Sequence, residues 1–383
     1  MQHVFIIGSR GLPAQYGGFE TFVDELVSHQ QSDQIKYHVA NLSKSETGRH
    51  SEYKTADVFD IKARHFGPAN VIFYDRDAIN YALSYIKDNE IEAPIFYILG
   101  NTLGAFIGHY AKKIHKIGGK MLVNPDGLEW KRSKWIKPIQ MYLKFSEQKM
   151  AKIADLIISD NQGIEDYLKS EYGDVTSTVI AYGTNPVARD SKIDTTWFEA
   201  QGVKQKDYYL VVGRFVPENN YEAIIQNFMA SDTTCDLVIV TNHQGNPYFD
   251  KLRQITGFDQ DKRIKFVGTV YDKETLLVIR QQAFAYIHGH AVGGTNPGLL
   301  EAMSATDLNL VYDVSFNRNV ALDSALFWQL DNLTTLMAQA EKLEGSEIDQ
   351  LAARARAIIA GNYTWERIVA QYEGLFLNER CLL

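Results

Sequence analysis

Short apolar runs rich in β-branched and aromatic residues alternate with longer amphipathic segments, and this alternation restarts near the middle of the chain. A short, wholly apolar run buries as a strand, whereas apolar residues three and four apart line one face of a helix. Strands are expected over 4–8, 37–42, 95–99, 121–124, 156–159 and 179–182, with helical patterns over 20–30, 77–89, 103–117 and 133–154. Such alternation implies a parallel sheet with helices on both faces, because parallel neighbours need a crossover connection. A polar stretch, GTNPVARDSKIDTTWFEAQGVKQKD, follows Tyr182. Beyond it strands are expected over 209–213, 237–241, 264–267, 284–288 and 309–312, then a helix-rich tail from Asn332. At 383 residues the chain exceeds the usual size of one core. The expected fold class is therefore α/β, two doubly wound domains facing across a cleft. Ligands of open parallel sheets bind beyond the carboxyl ends of the strands.

Composition removes several function classes. With 45% hydrophobic and 22% charged residues the chain is neither disordered nor fibrous. Cys235 and Cys381 lie far apart in no metal-ligand spacing, as suits a reducing cytoplasm. The opening MQHVFIIGSRG has no basic region and too short an apolar run for a signal peptide, so a cytoplasmic protein is expected. No stretch approaches the roughly 20 apolar residues of a membrane span. A net charge of -8 argues against a nucleic-acid partner. Between Lys112 and Lys152, however, Lys113, Lys116, Lys120, Lys131, Arg132, Lys134, Lys137, Lys144 and Lys149 face only Asp126, Glu129 and Glu147.

Three segments carry chemistry. The first strand runs into SRGLPAQYGGFE, where glycines and a helix start near Phe19 let backbone amides approach an anion. Its spacing is not that of the GxGxxG dinucleotide fingerprint, which weighs against a dehydrogenase. In YYLVVGRFVPENN, Arg214 follows a strand and precedes a helix start, suiting its planar fork to a diphosphate. In FAYIHGHAVGGTNPGLLEAM, Gly289, Gly293 and Gly294 precede Pro297, and Thr295 sits at a helix N-terminus. Glu301, about one turn inside that helix, suits a ribose hydroxyl. Each has a plainer reading: a turn needed for folding, an Arg214–Glu218 pair, or a glycine-rich turn.

The strings GRFVPENN and HGHAVGGTNPGLLEAM resemble the second domain of retaining GT-B glycosyltransferases of family four, built from two Rossmann-like domains. With GSRGLPAQYGGFETFV and NPDGLEWKRSKW, the chain resembles the bacterial rhamnosyltransferases of streptococcal-type capsule and cell-wall polysaccharide synthesis. The resemblance implies an acceptor domain over 1–185, a nucleotide-sugar donor domain over 186–362, and a helix over 363–383 packing back on the first. It implies transfer of L-rhamnose from dTDP-L-rhamnose, with retention, to form a β-1,4 linkage. The acceptor would be glucose or N-acetylglucosamine on undecaprenyl diphosphate. Gly17 and Gly18 would lie beside the diphosphate, which Arg214 would bind; Gly294, Thr295 and Asn296 would contact phosphate or sugar, and Glu301 the pentose.

Two positions depart from that pattern. Asn219 stands where the family usually has a diphosphate-binding lysine, and Gly293 where it has the first glutamate of a Glu-x7-Glu pair. His290 and Arg318 are the candidate replacements for the missing cation. Asp126, in an Asp-Gly pair after a strand, reads either as a turn or as a base orienting hydroxyls. Trp130, Lys131, Arg132, Lys134 and Trp135, with Tyr142 and Phe145, interleave aromatic and basic residues as an acceptor or membrane contact does. Peripheral attachment to the inner face of the plasma membrane is therefore expected. No Asp-x-Asp motif lies in a donor loop, so neither metal nor cofactor is expected. Alternatives are a UDP-hexose or GDP-mannose donor, a non-catalytic donor-binding subunit, or an epimerase.

Overall fold

The computed structural model describes residues 1–14, 17–64, 67, 70–125, 127–187 and 196–378. The chain divides into two units, Met1–Gly183 with Trp365–Leu383, and Thr184–Thr364. Unit 1 begins with β1 (Gln2–Ile7), α1 (Gly18–Ser28), β2 (Ile35–Ser43), β3 (His50–Tyr53), β4 (Ala56–Lys62) and α2 (Asn70–Asp88). It continues with β5 (Ile95–Leu99), α3 (Ile107–Lys116), β6 (Lys120–Asn124), α4 (Lys137–Ile153), β7 (Leu156–Ser159), α5 (Gln162–Tyr172) and β8 (Ser177–Val179). Its sheet order is β3-β4-β2-β1-β5-β6-β7-β8. Every pairing is parallel except β3 with β4. The sheet expected to be wholly parallel is thus edged by one antiparallel strand. β3 is short and largely exposed, as an edge strand is, and lacks the apolar run by which a sequence announces a strand.

Unit 2 begins with α6 (Thr196–Gln201), β9 (Tyr208–Val212), α7 (Tyr221–Met229), β10 (Asp236–Val240), α8 (Pro247–Thr256), β11 (Ile264–Gly268) and α9 (Lys273–Gln281). There follow β12 (Ala285–His288), α10 (Pro297–Ala305), β13 (Asn309–Tyr312), α11 (Ser315–Ala321), β14 (Leu326–Trp328), α12 (Leu333–Ala340) and α13 (Gly345–Asn362). The order β11-β10-β9-β12-β13-β14 is all parallel. Val4 to Ile7, Phe96 to Leu99 and Tyr208 to Leu210 are buried throughout, because helices cover both faces of each sheet.

The final helix, α14 (Trp365–Leu377), belongs to unit 1. Trp365, Ile368, Val369, Tyr372 and Phe376 form its buried face. The Tyr372 hydroxyl lies 3.0 Å from that of Tyr97 on β5, and its ring packs 5.1 Å from Phe22 of α1. Phe22→Ala there removes a fully buried ring, a change costing roughly 3–5 kcal/mol.

Several elements differ from expectation for local reasons. The helix expected over 133–154 starts only at Lys137, as α4, because Pro138 suits only a first helical turn, and a separate 3-10 turn, Glu129–Lys131, precedes it. α2 starts at Asn70, ahead of the expected Asp77, and carries Tyr74 and Asp75 on its buried face. β8 ends at Val179, where a strand was expected to begin, and β14 had no apolar run long enough to mark it.

Candidate functional site

In unit 2 the strand order reverses between β9 and β12, so their following loops leave in opposite directions and open a crevice at the carboxyl ends. Gly213 and Arg214 leave β9 there, and Gly289 to Asn296 leave β12. Arg214 is exposed, and no described residue pairs with its guanidinium. The Asn219 Nδ2 donates to the Arg214 carbonyl at 2.7 Å, and its Oδ1 lies 2.9 Å from Nδ1 of His290. Since the amide nitrogen is committed to a carbonyl, Oδ1 must accept, and His290 therefore carries its proton on Nδ1. Asn219 thus joins the arginine loop to the histidine loop. Asn220 Nδ2 to the Gly289 carbonyl, 2.9 Å, and Ala291 N–H to the Glu218 carbonyl, 2.9 Å, stitch the same two loops.

Gly293 has φ of +144°, and a Cβ there would meet Nε2 of His290 at 2.8 Å. A side chain at Gly293 would have to displace the imidazole. Both departures from the family pattern, Asn219 and Gly293, therefore touch His290. Gly294 and Thr295 are buried, and Asn296 caps α10, its Oδ1 accepting from Gly298 N–H at 2.8 Å. That cap commits the Asn296 oxygen, leaving its amide nitrogen for a ligand. Arg280, buried, holds one oxygen of the half-exposed Glu301 at 2.5 Å. Arg318 forms a two-bond pair with Asp313, so its charge is already matched.

His288, at the end of β12, was expected as a strand end and given no role of its own. It is 4% exposed; its Nδ1 lies 3.4 Å from the Tyr286 hydroxyl and its Nε2 has no partner among the described residues. Burial, with His290 adding a like charge, holds its pKa well below the ordinary value, so the ring is neutral. The repeated histidine of HGH was the available signal.

In unit 1 the strand order reverses between β1 and β5. There the loop after β1 is occupied by its own acids: Arg10 N–H donates to Glu20 at 3.0 Å and Ala14 N–H to Asp24 at 2.9 Å. Gly17, at φ +139°, sits against the Glu20 carboxylate and starts α1, and Gly18 is its first residue. From α2, the Tyr74 hydroxyl donates to the Ser9 carbonyl at 2.8 Å. Next to it Asp75 accepts from the Thr102 hydroxyl, beyond β5, while its Oδ1 has no partner among the described residues. Burial raises the Asp75 carboxyl to about 7. An aspartate on the inward face of an apolar helix pattern was the missed signal.

Several of the aromatic and basic residues expected to face an acceptor or a membrane hold one another. Glu129 takes Arg132 at 2.6 Å, Lys134 at 2.7 Å and the Trp135 indole at 2.9 Å. The Trp130 indole donates to the Tyr167 hydroxyl at 3.2 Å, with Lys131 5.3 Å from the Trp130 ring. Tyr142 donates to the Thr102 carbonyl at 2.7 Å. Asp126 and Cys381 lie outside the described residues. Burial pushes the Cys235 thiol up to about 11, leaving it inert.

A family model described as a domain of unknown function (DUF1972) matches residues 1–185. No curated protein matches by sequence. Among solved structures, the chain is similar to a sucrose-phosphate synthase from Thermosynechococcus elongatus, with 15% identity, TM-score 0.79 and 98% of each chain covered. It is similar to Anabaena HepE in complex with UDP, at 12% identity and TM-score 0.71, with 97% of this chain and 98% of that one covered. A UDP-forming α,α-trehalose-phosphate synthase from Burkholderia xenovorans, in complex with glucose-6-phosphate, shows 11% identity and TM-score 0.71, with 99% and 100% covered. These likenesses show the fold, which is GT-B.

Proposed function

We propose that the chain is a nucleotide-sugar-dependent glycosyltransferase that moves L-rhamnose from dTDP-L-rhamnose to the 4-hydroxyl of glucose or N-acetylglucosamine on undecaprenyl diphosphate. The observation that carries the transferase reading is Arg214, whose guanidinium pairs with no described residue, at the strand reversal of unit 2 beside the glycine loop that leads into the Asn296-capped α10. In the reaction the bond from the anomeric carbon to the β-phosphate oxygen breaks, and its electron pair leaves with the nucleotide. The acceptor oxygen bonds to that carbon from the same face and gives up its proton. Arg214, loop amides and the N-terminus of α10 would carry the charge that develops on the departing phosphate. His290, its Nδ1 proton committed to Asn219, would supply a donor where a lysine is missing only as the imidazolium, through Nε2. Glu301, steadied by Arg280, would accept from the pentose, through the 3′-hydroxyl in a deoxythymidine donor. Asp126 would orient or deprotonate the acceptor, and no metal enters.

The resemblance of GSRGLPAQYGGFETFV and NPDGLEWKRSKW supports rhamnose. The UDP named with HepE and the UDP-forming synthase supports a second reading, a uridine-diphosphate hexose donor. Asn219, being uncharged, is the observation that favours a donor-binding subunit without turnover. The acceptor places the protein at the inner face of the plasma membrane; no helix among the described residues is long and apolar enough to cross one. Purified protein given dTDP-L-rhamnose and synthetic lipid-linked glucose or N-acetylglucosamine is expected to form a β-1,4 product, assigned by NMR. Transfer from UDP-glucose alone would reject the rhamnose assignment. Donor binding without turnover on either acceptor would favour the silent subunit.

A further inference from the structure

α4 presents one face outward from end to end: Lys137, Met141, Phe145, Lys149 and Lys152 are exposed at helical spacing, with Ile136 just before them. Met141 is 74% exposed and Ile136 67%, unusual for large apolar side chains so close together. The one acid of α4, Glu147, is turned inward, where the hydroxyls of Tyr167 and Tyr172 donate to it. α3, which packs beside α4, adds exposed Lys112, Lys113 and Lys116. None of these six lysines pairs with an acid among the described residues. The nearby acids are already taken, Glu171 by Lys144 at 2.8 Å and Asp155 by His115 at 2.9 Å. Lys149 lies 5.8 Å from the Phe145 ring and Lys113 5.8 Å from the Tyr110 ring, stems against apolar surface and charges outward. A groove of about 590 Å³ opens here, lined in part by Trp130, Lys137, Met141, Phe145 and Tyr172.

We infer that this face of α4, with the lysines of α3, docks on an anionic phospholipid bilayer, Met141 and Phe145 entering the headgroup layer. Uncompensated lysines match anionic headgroups, and the apolar centre of the stripe matches the acyl boundary. A nucleic acid would use the charges but leave Ile136, Met141 and Phe145 without a partner. The inference rests on the reading that the acceptor is membrane-borne, and moves the contact from the Glu129 cluster, whose charges are matched internally, to a face whose charges are not.

The test is cosedimentation of the full chain with phosphatidylcholine vesicles, with and without phosphatidylglycerol. Capture is expected only by the anionic vesicles, and is expected to weaken as salt screens it. K137Q/K149Q/K152Q is expected to lower partitioning on the order of a hundredfold, and M141E/F145E about tenfold or more. Equal capture by both vesicles, capture by neither, or capture of M141E/F145E at the level of the parent overturns the inference. Transfer to a water-soluble acceptor, measured in parallel, is expected to survive M141E. Vesicle capture without any transfer would sink the glycosyltransferase reading and leave this surface standing.

Discussion

At the strand reversal of unit 1, the loop after β1 is lined by its own acids: Glu20 and Asp24 accept from its amides, and Asp75 lies buried behind it. At the reversal of unit 2, the corresponding loops present Arg214, whose guanidinium no described residue pairs, a glycine run and the His290 imidazole, with His288 buried at the end of β12. The two sites therefore differ in their carboxylates rather than in their cations, because Arg10 in the unit 1 loop is also exposed and pairs with no described residue. A carboxylate-lined loop suits hydroxyl groups better than it suits a diphosphate. Donor phosphate in unit 2 and acceptor hydroxyls in unit 1 are the assignment this contrast supports. The contact proposed between Gly17, Gly18 and the diphosphate has to coexist with the Glu20 carboxylate beside Gly17.

The contrast breaks most sharply at Arg214. R214A is expected to lower kcat/KM by roughly 100- to 1000-fold, the loss typical of a developing anion deprived of one strong donor. Steady-state release of nucleotide measures it, and a variant within a few-fold of the parent would move the diphosphate elsewhere.

Asp75 tests the acidic side through pH. Its folded value of about 7 lies above the ordinary 3.8, so between these values the native state holds a proton that the unfolded chain has released. Stability from this group is full below the lower value and is lost as pH rises through the upper, at up to about 1.4 kcal/mol per pH unit. D75N keeps the shape and has no proton to lose. Urea unfolding should find the variant more stable than the parent at pH 8 by a few kcal/mol, and the two alike near pH 4. A parent whose stability is flat over that range would mean the carboxylate has solvent or a counter-charge.

Gly17→Ala combines a positive φ with a Cβ placed on the Glu20 carboxylate. A loss of about 1–2 kcal/mol is expected from the melting curve. The smallest effect belongs to Glu301. E301Q, with Arg280 no longer matched, is expected to weaken nucleotide binding about five- to tenfold by calorimetry, with the fold intact.

β1, β5, β6, β9, β10 and β12 were legible because parallel strands covered on both faces must be continuously apolar. β3 and β14 were not, since short strands at sheet edges carry no such run, and the start of α2 hid behind the polar pair Asp75 and Arg76. Within the site, the glycine loops and Arg214 could be read from their place between strand and helix. The partners could not. Asn219 meets His290 across 71 residues, Asp75 meets Thr102 across 27 and Arg280 meets Glu301 across 21.

By itself, then, the sequence determined two α/β units, the elements that form their sheets, and the loops on which chemistry can sit. These follow from periodicity and from glycine and proline backbone preferences, which act over a few residues. Tertiary structure alone decided which charges remain unmatched among the described residues, with Arg214 in unit 2, the lysines of α3 and Lys137, Lys149 and Lys152 of α4 among them, against the closed cluster at Glu129. Charge pairing depends on distance in space, and neighbours along the chain say little about it.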